Sequence, residues 1–170
     1  MKIRALSKNE FKNSGFIYFS NILDGFDKYE YIQLSPTTSI YEEVEKSYIR
    51  FLEKLFNINS NKLVIDFYKN RLDDNSIKYI EDRLKYEEKK ILNKLISSGK
   101  EEDIFFEITD ISYIPLLIKL NLKELFFVTF YFDKANFTLW GNYNYNFPLF
   151  SSKKENLEEI KKIAKQCSLL

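Results

Sequence analysis

Apolar residues recur at helical spacing in four stretches of the chain. Across Ile40–Phe56, the residues Ile40, Val44, Tyr48, Leu52 and Leu55 fall on one face. Glu42, Glu43 and Glu45 stand near its start and Arg50 and Lys54 toward its end, an order that complements the helix dipole. Across Ser76–Ser98, Ile77, Ile80, Leu84, Ile91 and Leu95 make a stripe, interrupted by the polar run Tyr86–Lys90 and stopped by Gly99. The pattern predicts one long helix there. A short helix is predicted over Ser7–Asn13, and a last one over Lys153–Gln166 with Leu157, Ile160 and Ala164 on one face. Cys167 extends that face and reads as a small buried hydrophobe. Three of these helices are headed by S-x-x-E, in Ser7/Glu10, Ser39/Glu42 and Ser152/Glu155, the spacing of a capping box. Ser112–Leu120 reads as a fifth helical segment, with Pro115 tolerated in its first turn.

Shorter, more continuous apolar runs predict strands. Leu63–Phe67 (L-V-I-D-F) and Ile104–Ile108 (I-F-F-E-I) suit strands covered on both faces. They bracket the long helix, so a right-handed parallel βαβ unit is expected. Leu125–Phe132 is a strand, Asp133–Asn136 (D-K-A-N) a turn, and Phe137–Trp140 the returning strand of a hairpin. Within 16–34, F-I-Y-F (Phe16–Phe19) and Y-E-Y-I-Q-L (Tyr29–Leu34) read as strands around an Asp24-Gly25 turn. Asn142–Phe147 alternates amides with rings. As a strand it would place Tyr143, Tyr145 and Phe147 on one face and three Asn on the other; because Asn is disfavoured in strands and Gly141 marks a break, the row reads equally as an irregular loop. The fold class is α+β: residues 1–170 form a single domain, a mixed β-sheet with flanking helices, whose C-terminal β-hairpin is followed by a capped amphipathic helix.

Composition supports a packed core. Hydrophobic residues make up 45% and aromatic ones 17% of the 170 residues, with few Gly and Pro, so rings dominate the interior. The abundance of Lys, Asn, Ile, Tyr and Phe is what an AT-rich genome writes, which weakens Asn or Lys richness as a functional signal. Charge is balanced, 26 basic against 25 acidic residues, without a polybasic block. A nucleic-acid partner is therefore not expected, nor is a membrane one. No signal peptide or apolar run of spanning length is read, and a single cysteine fits a reducing, cytoplasmic location.

The chain has no histidine. Ser-His-Asp and Cys-His catalysis and the usual zinc sites are excluded in cis. Any catalysis would fall to carboxylates, and Asp66, Glu107 and Asp110 are the candidates, at or beside strand ends, for acid–base work or a divalent metal. The bland reading of these three is strand-face and helix-start chemistry, and neither a metal nor a cofactor is assigned. The segment W-G-N-Y-N-Y-N-F-P-L-F (Trp140–Phe150) concentrates large rings after the hairpin. Trp140, Asn142, Tyr143, Asn144 and Tyr145 are the candidate binding residues, since Tyr and Trp supply contact area at low entropic cost; packed against a helix, the same rings are ordinary core, and that structural use is the favoured reading.

The stretch from F-F-V-T-F-Y-F-D-K-A-N-F-T-L-W through that segment to the Lys- and Glu-rich helix resembles small immunity-type proteins of bacterial polymorphic or contact-dependent toxin systems. The resemblance covers about a third of the chain and carries no residue-by-residue motif. It implies a cytoplasmic, non-catalytic protein whose partner is another protein, a cognate toxin domain. A carboxylate- or metal-dependent hydrolase and a small-ligand sensor are the alternatives.

Overall fold

A computed structural model describes residues 2–134 and 136–170. Ala135, within the turn expected at Asp133–Asn136, lies outside the described residues. Among these residues seven strands build one sheet: β1 (Ile3–Leu6), β2 (Glu30–Leu34), β3 (Leu63–Asp66), β4 (Phe105–Ile108), β5 (Thr129–Phe132), β6 (Phe137–Trp140) and β7 (Phe147–Ser151). Their order across the sheet is β1-β4-β3-β5-β6-β7-β2, and each neighbouring pair is antiparallel. The helices are α1 (Lys8–Asn13), α2 (Ile22–Lys28), α3 (Tyr41–Ile58), α4 (Asp74–Glu81), α5 (Tyr86–Ser97), α6 (Ile114–Leu122) and α7 (Lys154–Gln166). The α+β class stands, and the β5–β6 hairpin and the helix after the last strand are as expected.

Strand alternation sorts the side chains into two faces. Ile65, Phe106, Phe130, Leu139 and Leu149 point to the main core, which α3 to α7 cover. Val64, Phe105 and Tyr131 point to the other face, where Phe11 of α1 packs on them. On that same face Ile17 and Phe19 pack with Phe150, joined by Trp140 and by Ile22 and Phe26 of α2. The second face is thus covered in two patches.

Several expectations are corrected. The predicted 76–98 helix is two helices, broken between Glu81 and Tyr86. The Glu88 carboxylate accepts the Lys85 N–H at 2.8 Å, so the polar run is the first turn of a new helix rather than a solvated midpoint. A single helix returns the chain to the starting end of a strand, as a parallel βαβ unit needs. Here the connection holds two helices, and β3 meets β4 antiparallel, with Leu63 opposite Ile108 and Ile65 opposite Phe106. The sheet is antiparallel rather than mixed.

The Asp24-Gly25 turn is instead inside α2, whose N-cap Asn21 accepts the Leu23 N–H at 2.9 Å. Gly25 serves close packing, because a Cβ there would stand 2.6 Å from the Phe19 ring. Phe16–Phe19 joins no strand ladder; the Ile17 carbonyl accepts the Thr138 hydroxyl at 2.7 Å. Tyr29–Leu34 does contain a strand, β2.

Leu125 to Val128 precede β5 as irregular chain. Glu124 has φ +54°, and the Leu125 N–H turns back to the Leu120 carbonyl at 2.9 Å. The fifth helical segment is present as α6 with Pro115 in its first turn. Ser7 and Glu10 form their capping box, whereas α3 and α7 have Ile40 and Lys153 at their N-cap positions and no side-chain cap. There Thr38 and Ser151 hydroxyls take the N–H groups of Ile40 and Lys153 instead of Ser39 and Ser152 closing a box.

Gly99, at φ +67°, follows α5 as predicted, but Lys69 does more to finish that helix. Its buried ammonium donates to the Ile96 carbonyl at 3.2 Å and to the Ser98 carbonyl. Positive charge at these carbonyls opposes the negative end of the dipole. Lys69→Met keeps the stem and removes the donors. It is expected to lower the unfolding free energy by about 2 kcal/mol, the scale of charged hydrogen bonds. A urea titration checks this; an unchanged midpoint would mean that Lys69 only fills space.

Candidate functional site

Between the two covered patches the second face of the sheet stays open at Asp66 and Thr129. Here β3 ends, and the chain runs on through Tyr68 into a short 3-10 turn, Lys69–Arg71. Across the sheet β5 begins at Thr129, paired with Trp140 at the end of β6. The strand ends and the segments leaving them enclose a crevice of about 270 Å³. Asp66, Tyr68, Arg71, Phe127, Trp140 and Tyr143 supply its chemistry, and Asn142 also lines it.

Asp66 forms the inner wall. It is only 6% exposed. One carboxylate oxygen accepts the Thr129 N–H at 2.7 Å and the other accepts the Tyr131 hydroxyl at 3.1 Å. No ion pair to Asp66 occurs among the described residues. Burial pushes its pKa up to about 6, and the Thr129 and Tyr131 hydrogen bonds pull against that rise. A buried carboxylate with no cation is unusual, because buried charges are normally paired. The same burial and the neighbouring carboxylate push the Tyr131 and Tyr68 hydroxyls up, the second to about 12, so both stay protonated.

The rings around Asp66 are held by one another. Trp140 stacks on Phe19, with centroids 5.2 Å apart and planes at 11°. Tyr143 meets Phe127 edge-on at 4.8 Å. The Arg71 guanidinium lies 4.4 Å from the centre of the Tyr68 ring, exposed at the mouth.

Gly141 sets the wall between Trp140 and Tyr143. It is buried against Asn121, a fully buried amide that donates to the Val128 carbonyl at 3.0 Å and accepts the Val128 N–H at 2.8 Å. The pair of bonds fixes the irregular chain just before β5. It also leaves no room for a side chain at 141.

The segment after Gly141 is a turn, the irregular one of the two readings, rather than a strand. Asn144 and Tyr145 have φ of +57° and +61°, left-handed values that a pleated strand does not allow. The three rings therefore share no face. Tyr143 is 58% exposed, Tyr145 is half-buried beside Tyr41, and Phe147 is fully buried in the main core. The Tyr48 hydroxyl donates to the Tyr145 carbonyl at 2.6 Å, the Ser35 hydroxyl reaches the Asn146 side chain at 2.6 Å, and Glu124 accepts the Asn144 N–H at 3.2 Å. These bonds pin the turn to the helical side.

Of the residues singled out from sequence, Asp66, Trp140, Asn142 and Tyr143 come together here. Asn144 and Tyr145 lie on the turn outside the crevice. Glu107 pairs with Arg4 at 3.3 Å, and Asp110 pairs with Lys2 at 2.8 Å while accepting the Ser112 N–H at 3.0 Å. The Lys2 ammonium, aided by Ser112, holds the Asp110 carboxyl down at about 2. The three carboxylates thus have separate partners rather than a shared cleft. Among the described residues no three His, Cys, Asp or Glu side chains are grouped to hold a metal.

Tyr68, Arg71 and Phe127 are the contributors that pattern reading missed. Tyr68 and Arg71 follow directly on a strand end, the location that had singled out Asp110. Cys167 is buried, as expected, and burial raises its thiol pKa. Among the described residues no helix is long and apolar enough to cross a membrane. No protein-family model matches this chain, and no curated protein or solved structure matches it either.

Proposed function

We propose that this chain is a non-catalytic recognition protein that binds another protein, and that its partner is a toxin domain neutralised in the cytoplasm. The observation that carries the reading is Tyr143, a large ring 58% exposed at the rim of a crevice that also presents Trp140 and Arg71. Trp, Tyr and Arg are the residue types that dominate interface hot spots, especially beside a pocket that a partner can desolvate. Each is held before binding by a neighbouring ring, Trp140 by Phe19, Tyr143 by Phe127 and Arg71 by Tyr68, which lowers the ordering cost of association. The likeness of the C-terminal third to immunity-type proteins supports the choice of partner.

The test is calorimetric titration of the purified protein with the product of an adjacent toxin-like reading frame. A one-to-one complex is expected. Tyr143→Ala should weaken it roughly 30-fold or more, the effect of losing about 2 kcal/mol at a hot spot. The same substitution should leave the unfolding free energy within about 0.5 kcal/mol of wild type, as for an exposed residue away from the core. No complex, or a complex indifferent to Tyr143 and Trp140, would contradict the proposal.

A further inference from the structure

The buried carboxylate of Asp66 is the feature that the fold itself leaves unexplained. It ends β3 with both oxygens already accepting one hydrogen bond, from the Thr129 N–H and the Tyr131 hydroxyl. An ionised carboxylate has about four acceptor positions, so each oxygen keeps a lone pair. The wall it belongs to is lined by Trp140, Tyr143, Phe127 and Tyr68. Aromatic faces attract cations, and the attraction grows once water is excluded.

We infer that this crevice is a cation-recognition site which takes the ammonium head of one lysine side chain from the protein partner. The inference rests on the protein-binding reading and names the chemistry of its central contact. The head meets the Asp66 carboxylate, and the four-carbon stem passes between the Trp140 and Tyr143 rings. A volume of about 270 Å³ suits one side chain rather than a larger ligand. Lysine fits better than arginine. A guanidinium prefers both oxygens of a carboxylate in a planar fork, and here each oxygen is partly occupied. An ammonium is a compact point charge that needs fewer open positions.

Arg71 is the other charge facing the crevice. Its guanidinium is stacked on Tyr68 at the mouth and forms no ion pair with Asp66 among the described residues. It does not supply the missing cation, and it is placed to meet an acidic neighbour of the incoming lysine. Among the described residues the remaining titratable groups about Asp66 are the hydroxyls of Tyr68, Tyr131 and Tyr143, with that of Tyr18 beside Tyr68. Binding should therefore follow the ionisation of Asp66. With its carboxyl pKa at about 6, roughly ten times less of the anion is present at pH 5 than at pH 7.

Trp140 is the only tryptophan of the chain, so its fluorescence reports this site directly. The full-length protein is titrated with Nα-acetyl-lysine methylamide, and with the norleucine analogue that lacks the charge. The lysine probe is expected to give a saturable change at pH 7. Its affinity should fall about tenfold at pH 5, in step with the loss of the anion. The norleucine probe should bind at least about tenfold more weakly, a difference of about 1.4 kcal/mol. Asp66→Asn, whose fold is verified by circular dichroism, should lose the preference for lysine.

Equal binding of the two probes, no binding of either, or an unchanged preference in Asp66→Asn would overturn the inference. Spermidine binding about a hundredfold more tightly than the lysine probe would assign the crevice to a free amine, and would overturn it as well. The two proposals fail differently. A toxin complex that forms equally well with Asp66→Asn removes the lysine contact but leaves protein binding intact. An Asp66-dependent lysine signal with no protein partner removes the proposed function alone.

Discussion

Asp66→Asn is expected to make the protein more stable at pH 7, by up to about 3 kcal/mol. Burial raises the Asp66 pKa from 3.8 to about 6, so the folded state holds this proton more tightly than the unfolded state does. The fold is therefore most favoured, as far as this group is concerned, below about pH 4, where both states are protonated. It loses that stability as pH rises through about 6, where the folded carboxyl must ionise. A difference of about two pH units at 1.36 kcal/mol each gives the upper figure. Asparagine keeps an acceptor for the Thr129 N–H and carries no charge. Urea titrations from pH 4 to pH 8 read the effect directly: the two proteins should converge near pH 4, and the variant's lead should grow between about pH 4 and pH 6 and level off above that. A variant less stable than wild type at pH 7 would mean that the ionised carboxylate stabilises the fold on balance. Its retention would then need no functional explanation.

Gly141→Ala is expected to cost about 3 kcal/mol and to disorganise the crevice. A Cβ at this position would stand 2.7 Å from the Asn121 side-chain carbon and 2.8 Å from the Val128 carbonyl oxygen. Neither neighbour can retreat freely. Asn121 is fully buried and holds both backbone groups of Val128, so moving it breaks two hydrogen bonds in a dry place. Overpacking and buried unsatisfied groups each cost about 1–3 kcal/mol. Trp140 precedes the glycine, so its emission should shift in the folded variant. A variant within about 0.5 kcal/mol of wild type, with unchanged emission, would show that the wall yields and that Gly141 does not set it.

What could be read from the sequence is what local chemistry decides. The Ser7–Glu10 box closes three residues apart, Pro115 sits where a first turn tolerates it, and the β5–β6 hairpin joins two apolar runs by a short loop. The failures come where non-local contacts overrule a pattern. Ile77, Ile80, Leu84, Ile91 and Leu95 keep a helical period across 76–98, yet a period does not reveal that Glu88 caps a second start. Nor does a period reveal that β4 re-enters the sheet antiparallel to β3. Gly25 looked like a turn residue. It is a helical residue chosen for the Phe19 ring, which is distant in conformation though near in sequence.

The candidate site was legible in halves. Trp140, Asn142 and Tyr143 stood out as a ring-rich segment, and Asp66 as a charge inside an apolar strand. Nothing in sequence spacing places residue 66 beside residue 129; antiparallel pairing of β3 with β5 does that. The alternating Asn and Tyr suggested a pleated ladder, which the left-handed turn at Asn144 and Tyr145 replaces. The turn sends Tyr145 and Phe147 inward and leaves Tyr143 at the mouth. Loss of the ladder thus sharpens the site to one exposed ring above one buried acid.

The most direct measurement is the pH titration of the Asp66 carboxyl carbon by NMR, in the free protein and with the lysine probe at saturation. The account predicts a midpoint of about 6 in the free protein, moving at least about one pH unit lower when an ammonium occupies the crevice. An ordinary midpoint near about 4 in the free protein, or one that the probe leaves in place, would contradict it.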